Sequence, residues 1–307
     1  MSVFDPDRVS VRVPATSANL GPAFDCAGLA LTRYDVVDFA LAGSGLSVEV
    51  TGVGAGELPT DEQHLVVRAF RAACDELGWT PPGLRVVARN GIPQGRGMGS
   101  SAAAVVAGVL AAHALCPDVE AIDLDAVLRL TTDMEGHPDN VAASLLGGLT
   151  LSWTVEDGVH ADSIEVHGGV LPVVLVPDAT LSTHVARGLL PDVVPHADAT
   201  HNAGRAALLV HALTADPALL LEATYDRLHQ RQRGDAMPES LALIDRLRAA
   251  GHAAVVSGAG PSVLVLTTSE DQGEVAALTP DGWTLHALEV DDDGARVVNG
   301  APPVSSR

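Results

Sequence analysis

The stretch that most restricts the fold of this chain is Pro93-Gln94-Gly95-Arg96-Gly97-Met98-Gly99-Ser100-Ser101-Ala102-Ala103. Three glycines at alternate positions suit neither a regular strand nor a regular helix, and they leave the backbone bare. Ahead of them, Leu84-Arg85-Val86-Val87-Ala88 reads as a strand. Behind them, an alanine- and valine-rich run to Leu115, broken only by Gly108, reads as a buried helix that Ser100 or Ser101 can cap. Strand, glycine loop and helix start together predict an anion site. Unpaired N–H groups and the positive end of the helix dipole converge there, and a phosphate chain is the obvious anion. The pattern is not the Walker loop, which needs a lysine, because every one of the 18 basic residues is arginine. Nor is it the dinucleotide fingerprint, since Ser100 stands where a third glycine belongs.

A chain of 307 residues can bury a sizeable core in one or two domains. Only 3% of it is aromatic, so that core must be built from Ala, Val and Leu. The net charge of −21 argues against nucleic acid, whose backbone it would repel. It does not argue against ATP, provided local donors and a divalent cation override the wider field. Cys26, Cys74 and Cys116 are widely spread with no zinc spacing, which favours a reduced cytoplasmic setting. Residues 1–8 lack a signal-peptide pattern, and Ala102–Leu115 is too short to span a bilayer, so no membrane is expected.

Along the chain, Val9, Val11 and Val13 alternate as a first strand leading into a polar, proline-bounded loop over residues 14–25. Tyr34–Leu41 and Leu46–Val53 read as strands joined in a hairpin by Gly43-Ser44-Gly45. Glu62–Leu77 is amphipathic, and Leu124–Met134 and Asp139–Leu146 are further helices. Glu156–Gly169 reads as a boundary segment. Later, Pro195–Ala215, Pro217–His229 and Ser240–Ala250 read as helices. Ala253–Val256 is a strand interrupted by Ser257-Gly258-Ala259-Gly260-Pro261-Ser262 and resumed at Val263–Leu266, and the tail from Asp291 reads as polar and frayed. Strands and helices in two clusters indicate an α+β protein of two domains, 1–160 and 161–307.

Four groups of side chains carry possible chemistry. Glu135 could hold magnesium beside bound phosphate, with the Ser100 hydroxyl as second ligand, or it could simply stabilise the start of the next helix. His137 could cap that helix or touch a ligand. Arg187 and Arg233 could clamp a carboxylate bidentately or lie in surface ion pairs. Ser257–Ser262 is a second glycine loop, by itself no more than a turn passing close to another backbone.

Taken together, Pro14-Ala15-Thr16-Ser17-Ala18-Asn19-Leu20-Gly21-Pro22, the loop Pro93–Ala103 and Ser257–Ser262 resemble the three motifs of the GHMP small-molecule kinases. Phe24-Asp25, Glu135-Gly136-His137-Pro138-Asp139-Asn140-Val141, Thr183 with Ala186–Pro191, and Leu228-His229-Gln230 with Arg233 are similar to the branch that phosphorylates L-homoserine. The resemblance implies an N-terminal domain like ribosomal protein S5 domain 2 and a ferredoxin-like C-terminal domain. It implies ATP and magnesium as cofactors, the side-chain hydroxyl of L-homoserine as acceptor, and a homodimer. By position, it implies that Asn19, Asp25 and His137 line the amino-acid pocket and that Arg187 and Arg233 grip its carboxylate, with Thr183 near the reacting hydroxyl. Ser100 and Glu135 become the magnesium ligands, Gly95–Ser101 the triphosphate cradle, and the region of His64-Leu65-Val66 the adenine side. Ala23, Cys26 and Arg231-Gln232 depart from the family pattern beside the amino-acid pocket. No aspartate recommends itself as base, so the expected mechanism is direct attack by a hydroxyl oriented by Asn19 and by Asn140 or Thr183. A sister kinase of another amino alcohol, or a nucleotide-binding regulator without turnover, remain the competing readings.

Overall fold

The computed structural model describes residues 6–268 and 271–298, in two sheets with helices packed on them. The first sheet contains β1 (Arg8–Ala18), β2 (Ala27–Leu41), β3 (Gly45–Gly52), β4 (Gly83–Asn90), β5 (Leu149–Val155) and β6 (Gly158–Ile164). The second contains β7 (Leu171–Pro177), β8 (Ala253–Val256), β9 (Val263–Thr267) and β10 (Trp283–Ala287) in the order β10-β7-β9-β8, all antiparallel. A short β11 (Arg296–Val297) carries the chain back to the first sheet, against β1. That return corrects the expectation of a frayed tail for residues 291–298; the tail from 299 onward lies outside the described residues. Asp291 anchors the return from a buried position, accepting from Tyr34 Oη at 2.6 Å and from the Gly294 amide at 2.7 Å.

The expected hairpin between β2 and β3 does not form. The first sheet runs β11-β1-β2-β4-β3, with β4 antiparallel to β2 and parallel to β3. Burial explains the order: Leu84, Val86 and Ala88 of β4 are fully buried, whereas β3 alternates exposed Ser47, Glu49 and Thr51 with half-buried Leu46, Val48 and Val50. The more apolar strand takes the interior place and the other becomes the edge. The segment read as a boundary contains β6, which pairs with β5.

Helices α1 (Leu65–Glu76), α2 (Ser100–Leu115), α3 (Leu124–Glu135) and α4 (Asp139–Leu146) cover the inner face of the first sheet. With small apolar side chains all round, α2 is the central one, buried among α1, α3, α4 and β1. Further on come α5 (Thr183–Gly188), α6 (His196–Thr214), α7 (Leu220–Ala223), α8 (Pro238–Ala249) and α9 (Gln272–Leu278). The main core runs on from the first sheet through Leu209, Leu213 and Leu220 to Val174, Val255 and Leu264. The opposite face of the second sheet packs Val173, Leu175, Val256 and Val265 against Leu243, Ile244 and Leu247 of α8. Covered on both faces, β7–β9 carry unbroken apolar runs.

Two more expectations change. Val263–Leu266 does not resume the preceding strand: the chain reverses at Ser257–Ser262 and β9 lies antiparallel to β8, pairing Val256 with Val263. The helix expected over Pro217–His229 stops at Ala223 after one 3-10 turn and one α turn. Beyond it, Asp226 accepts from the amides of Leu228, His229 and Gln230 and from Asn202 Nδ2, drawing the chain into a loop.

Candidate active site

The glycine loop enters α2 through Gly99, at φ +70°, and no side chain caps the helix. Neither serine takes the capping role expected of it: Ser100 and Ser101 are the first two residues of α2. Gly95 and Gly97 are also left-handed. A methyl on Gly97 would lie 2.1 Å from Ser257 O, and one on Gly99 1.9 Å from Thr16 Oγ1, so both positions exclude any side chain. From Gln94 to Ala102 the backbone amides have no acceptor among the described residues; the first bonded amide is Ala103, to Gly99 O. They open on a cleft of about 640 Å³. Bare amides at a helix N-terminus, turned towards a cleft, are what a polyphosphate needs. Arg96 does not share in this. Its guanidinium reaches Pro177 O, Asp178 O and Gln94 O, fastening the loop to the end of β7.

At the mouth of the cradle, Ser101 Oγ donates to Glu135 Oε1 at 2.5 Å. Glu135 ends α3, which crosses over the start of α2. One carboxylate and one hydroxyl at a phosphate cradle suit magnesium, which takes few protein ligands and leaves the rest to phosphate and water. The hydroxyl that meets Glu135 belongs to Ser101, the neighbour of the serine read from sequence.

Behind Gly99, Thr16 Oγ1 donates to Asn140 Oδ1 at 2.8 Å. Asp139, 1% exposed, accepts from the Asn140 amide at 2.7 Å and lies 2.8 Å from His137 Nδ1, and that contact pushes the His137 pKa up. Asn19 Nδ2 donates to Gly258 O at 2.9 Å while its Oδ1 accepts from the Asp25 amide, leaving one N–H of this side chain for a ligand.

The guanidinium groups of both arginines lie over the Phe24 ring, that of Arg187 5.6 Å and that of Arg233 5.2 Å from its centroid. They differ in their partners. Arg187 is held by Asp25 through both carboxylate oxygens, at 2.6 and 3.0 Å, which raises its pKa. Arg233 is 1% exposed and, among the described residues, has no carboxylate within 4 Å, though Asp25, Asp226 and Asp139 act on it from farther off; its hydrogen-bond acceptors are Gly258 O and His229 Nδ1, each 3.4 Å from Nη1, and its Nε has no partner. Burial, followed by the charge of Arg187, pushes the Arg233 pKa down. A buried cation without a counter-ion is costly unless an anion arrives.

A single cleft takes in Gly95, Gly97–Ala103, Glu135, Asn19, His137, Asn140, Thr183, Arg187 and Arg233. Asp25, absent from its walls, reaches it through Arg187. Two further residues line it: Asp35, which nothing in the sequence singled out, and His64, which the family resemblance put on the adenine side. Asp35 accepts from the amides of Gly91 and Ile92 at 2.7 and 2.9 Å, directly before the loop. His64 is buried with both ring nitrogens unpartnered, and burial pushes its pKa down.

Burial pushes the Asp35 pKa up from 3.8 to about 6. A raised carboxyl pKa adds stability below pH 3.8 that disappears as pH rises through 6, about 3 kcal/mol in all. Asp35→Asn keeps an acceptor for both amides and removes the charge. The variant is expected to unfold at higher denaturant than the parent at pH 8, with the gap closing towards pH 4. A gap independent of pH would contradict a titrating Asp35.

Cradle, acid–hydroxyl pair and cationic pocket in one cleft between two sheets define a GHMP-type kinase. The family model described as GHMP kinases N terminal domain matches residues 64–148, and that described as GHMP kinases C terminal matches 207–278. Homoserine kinase of Streptomyces avermitilis is 54% identical over 296 residues, 96% of this chain and 97% of that one. Homoserine kinase of Clavibacter michiganensis is 53% identical, with 94% of each chain covered. The crystal structure of homoserine kinase from Cytophaga hutchinsonii superposes with a TM-score of 0.84 at 27% identity, covering 95% of this chain and 98% of that one. The chain thus belongs to the homoserine kinase family of the GHMP kinases. Among the described residues, no helix is long and apolar enough to cross a membrane.

Proposed function

We propose that the chain transfers the γ-phosphoryl group of ATP to the side-chain hydroxyl of L-homoserine. The observation that carries this is one cleft lined both by unpaired amides and by the buried Arg233, which has no carboxylate within 4 Å among the described residues. The amides of Gly95–Ala102 hold the triphosphate, and His64, with Leu65 and Val66, borders the base. Glu135 with Ser101, and Ser100 beside them, would hold magnesium, which neutralises charge on the β- and γ-phosphates.

Arg233 and Arg187 take the substrate carboxylate and Asp25 its ammonium, so substrate binding redistributes the Asp25–Arg187 pair. His137 and Asn19 border the same pocket. Thr183, at the start of α5, and Asn140, behind Gly99, flank the path of the hydroxyl. The aspartates at the site are already engaged, Asp25 by Arg187, Asp139 by His137 and Asn140, and Asp35 by the Gly91 and Ile92 amides. That favours direct attack aided by alignment and charge over a dedicated base. A cytoplasmic homodimer completes the reading.

The test is ADP release with magnesium-ATP across homoserine, serine, threonine and mevalonate. Turnover confined largely to homoserine is expected. Preference for another alcohol would reassign the acceptor, and no ADP with any of them would make the chain a binder.

A further inference from the structure

We propose that His229 is the positioning residue for the carboxylate grip, holding Arg233 in place through its Nδ1 lone pair. His229 is fully buried. Its Nε2 lies 2.7 Å from Gly21 O, and since a carbonyl only accepts, Nε2 carries the proton. In the neutral ring Nδ1 is then a bare acceptor, and it lies 3.4 Å from Arg233 Nη1. Burial disfavours a second proton on the ring. The imidazole also stacks on Phe24, with centroids 4.9 Å apart, and Phe24 is the ring that both guanidinium groups lie over.

The surrounding loop fixes the imidazole from behind. Asp226 accepts from the His229 amide at 3.1 Å, and Gln230 Oε1 accepts from the Val256 amide at 2.6 Å. One ring therefore joins the first motif, at Gly21, to a cation with no carboxylate within 4 Å among the described residues. The neutral acceptor orients the guanidinium without neutralising it, so the full positive charge stays available to an incoming carboxylate. A carboxylate in its place would bind Arg233 permanently, as Asp25 binds Arg187.

The inference rests on reading Arg233 as the grip on the substrate carboxylate, and the test separates the two. Steady-state kinetics compare His229→Phe, His229→Asn, Arg233→Met and the His229→Phe/Arg233→Met pair. His229→Phe keeps the stack on Phe24 and loses both the Nδ1 acceptor and the donor to Gly21 O, a donor that His229→Asn lacks as well. It is expected to raise KM for homoserine about tenfold, the value of one hydrogen bond to a charged group. kcat should stay within about twofold and KM for ATP unchanged. His229→Asn, which returns an acceptor near the Nδ1 position, recovers most of the loss. In the Arg233→Met background, His229→Phe costs nothing further in kcat/KM.

Equal losses in both backgrounds, or equal defects for Phe and Asn, would overturn the proposal in favour of a general structural role. If Arg233→Met leaves KM for homoserine unchanged, the carboxylate reading fails and His229 falls with it. If Arg233→Met raises KM and His229→Phe does not, only the role of His229 fails. Should His229→Phe not fold, His229→Gln, which retains a donor for Gly21, replaces it in the cycle.

Discussion

Replacing Arg233 with methionine is expected to stabilise the free protein and nearly abolish its recognition of substrate. Arg233 is among the largest fully buried side chains, its Nε is unpartnered, and no carboxylate lies within 4 Å of it among the described residues. Its contacts at 3.4 Å to a carbonyl and an imidazole are at the long end for hydrogen bonds. Exchanging buried ionic groups for apolar ones of similar volume commonly stabilises by about 1–4 kcal/mol. Methionine can fill the space and lie against Phe24. Removing the cation also strips the incoming carboxylate of its buried partner, a loss of about 3–5 kcal/mol, or roughly two to four orders of magnitude in KM. Denaturant unfolding and homoserine kinetics check the two halves together. A less stable variant with unchanged KM would make Arg233 a structural residue. Arg187 should not behave in the same way. It already has Asp25, both side chains are about one-third exposed, and its loss costs folding and binding alike.

That contrast marks what sequence alone could reveal. The three glycine- and serine-rich motifs were legible because each demands backbone geometry that few residues tolerate. Gly95, Gly97 and Gly99 indeed sit at φ values of +62°, +71° and +70°. Legible too were the buried helix behind them and the cationic character of Arg187 and Arg233. What could not be read was which arginine lacks a partner, since Asp25 lies 162 residues from Arg187 along the chain. The choice between Ser100 and Ser101 depends on the rotation of α2 against α3, which packing sets. Tyr225–Gln230 contains no proline or glycine and reads as helix by propensity, but the buried Asp226 carboxylate offers its amides a better acceptor and tertiary structure prevails. The β3 edge failed for the same reason. Its turn chemistry suggested a hairpin, while relative burial of β3 and β4 decided the order.

The phosphate cradle supplies the second large effect, in a comparison of Gly97→Ala with Gly95→Ala. Both glycines are left-handed, so alanine costs each about 1–2 kcal/mol of backbone strain. Only at Gly97 does the methyl also collide, 2.1 Å from Ser257 O and 3.0 Å from the Gly260 nitrogen; at Gly95 its nearest neighbour is Thr180 at 3.5 Å. Gly97 lies where all three motifs meet. Ser257 Oγ donates to Gly97 O at 2.6 Å with Ser17 Oγ 2.9 Å away, Gly258 N–H donates to Ala18 O, and Thr16 N–H donates to Met98 O. Neither Ser257 nor Gly260 can yield without pulling Asn19 from Gly258 O and displacing the wall beside Arg233. Gly97→Ala is therefore expected to lose about 3 kcal/mol or more of stability and to raise KM for ATP at least about a hundredfold. The KM for homoserine should rise with it. Gly95→Ala, which carries the strain alone, should change either KM by less than about tenfold. Equal defects in the two variants would show that the cradle depends on backbone conformation and not on the contact with the third motif. Calorimetric titration with ATP, beside unfolding of each variant, separates these outcomes.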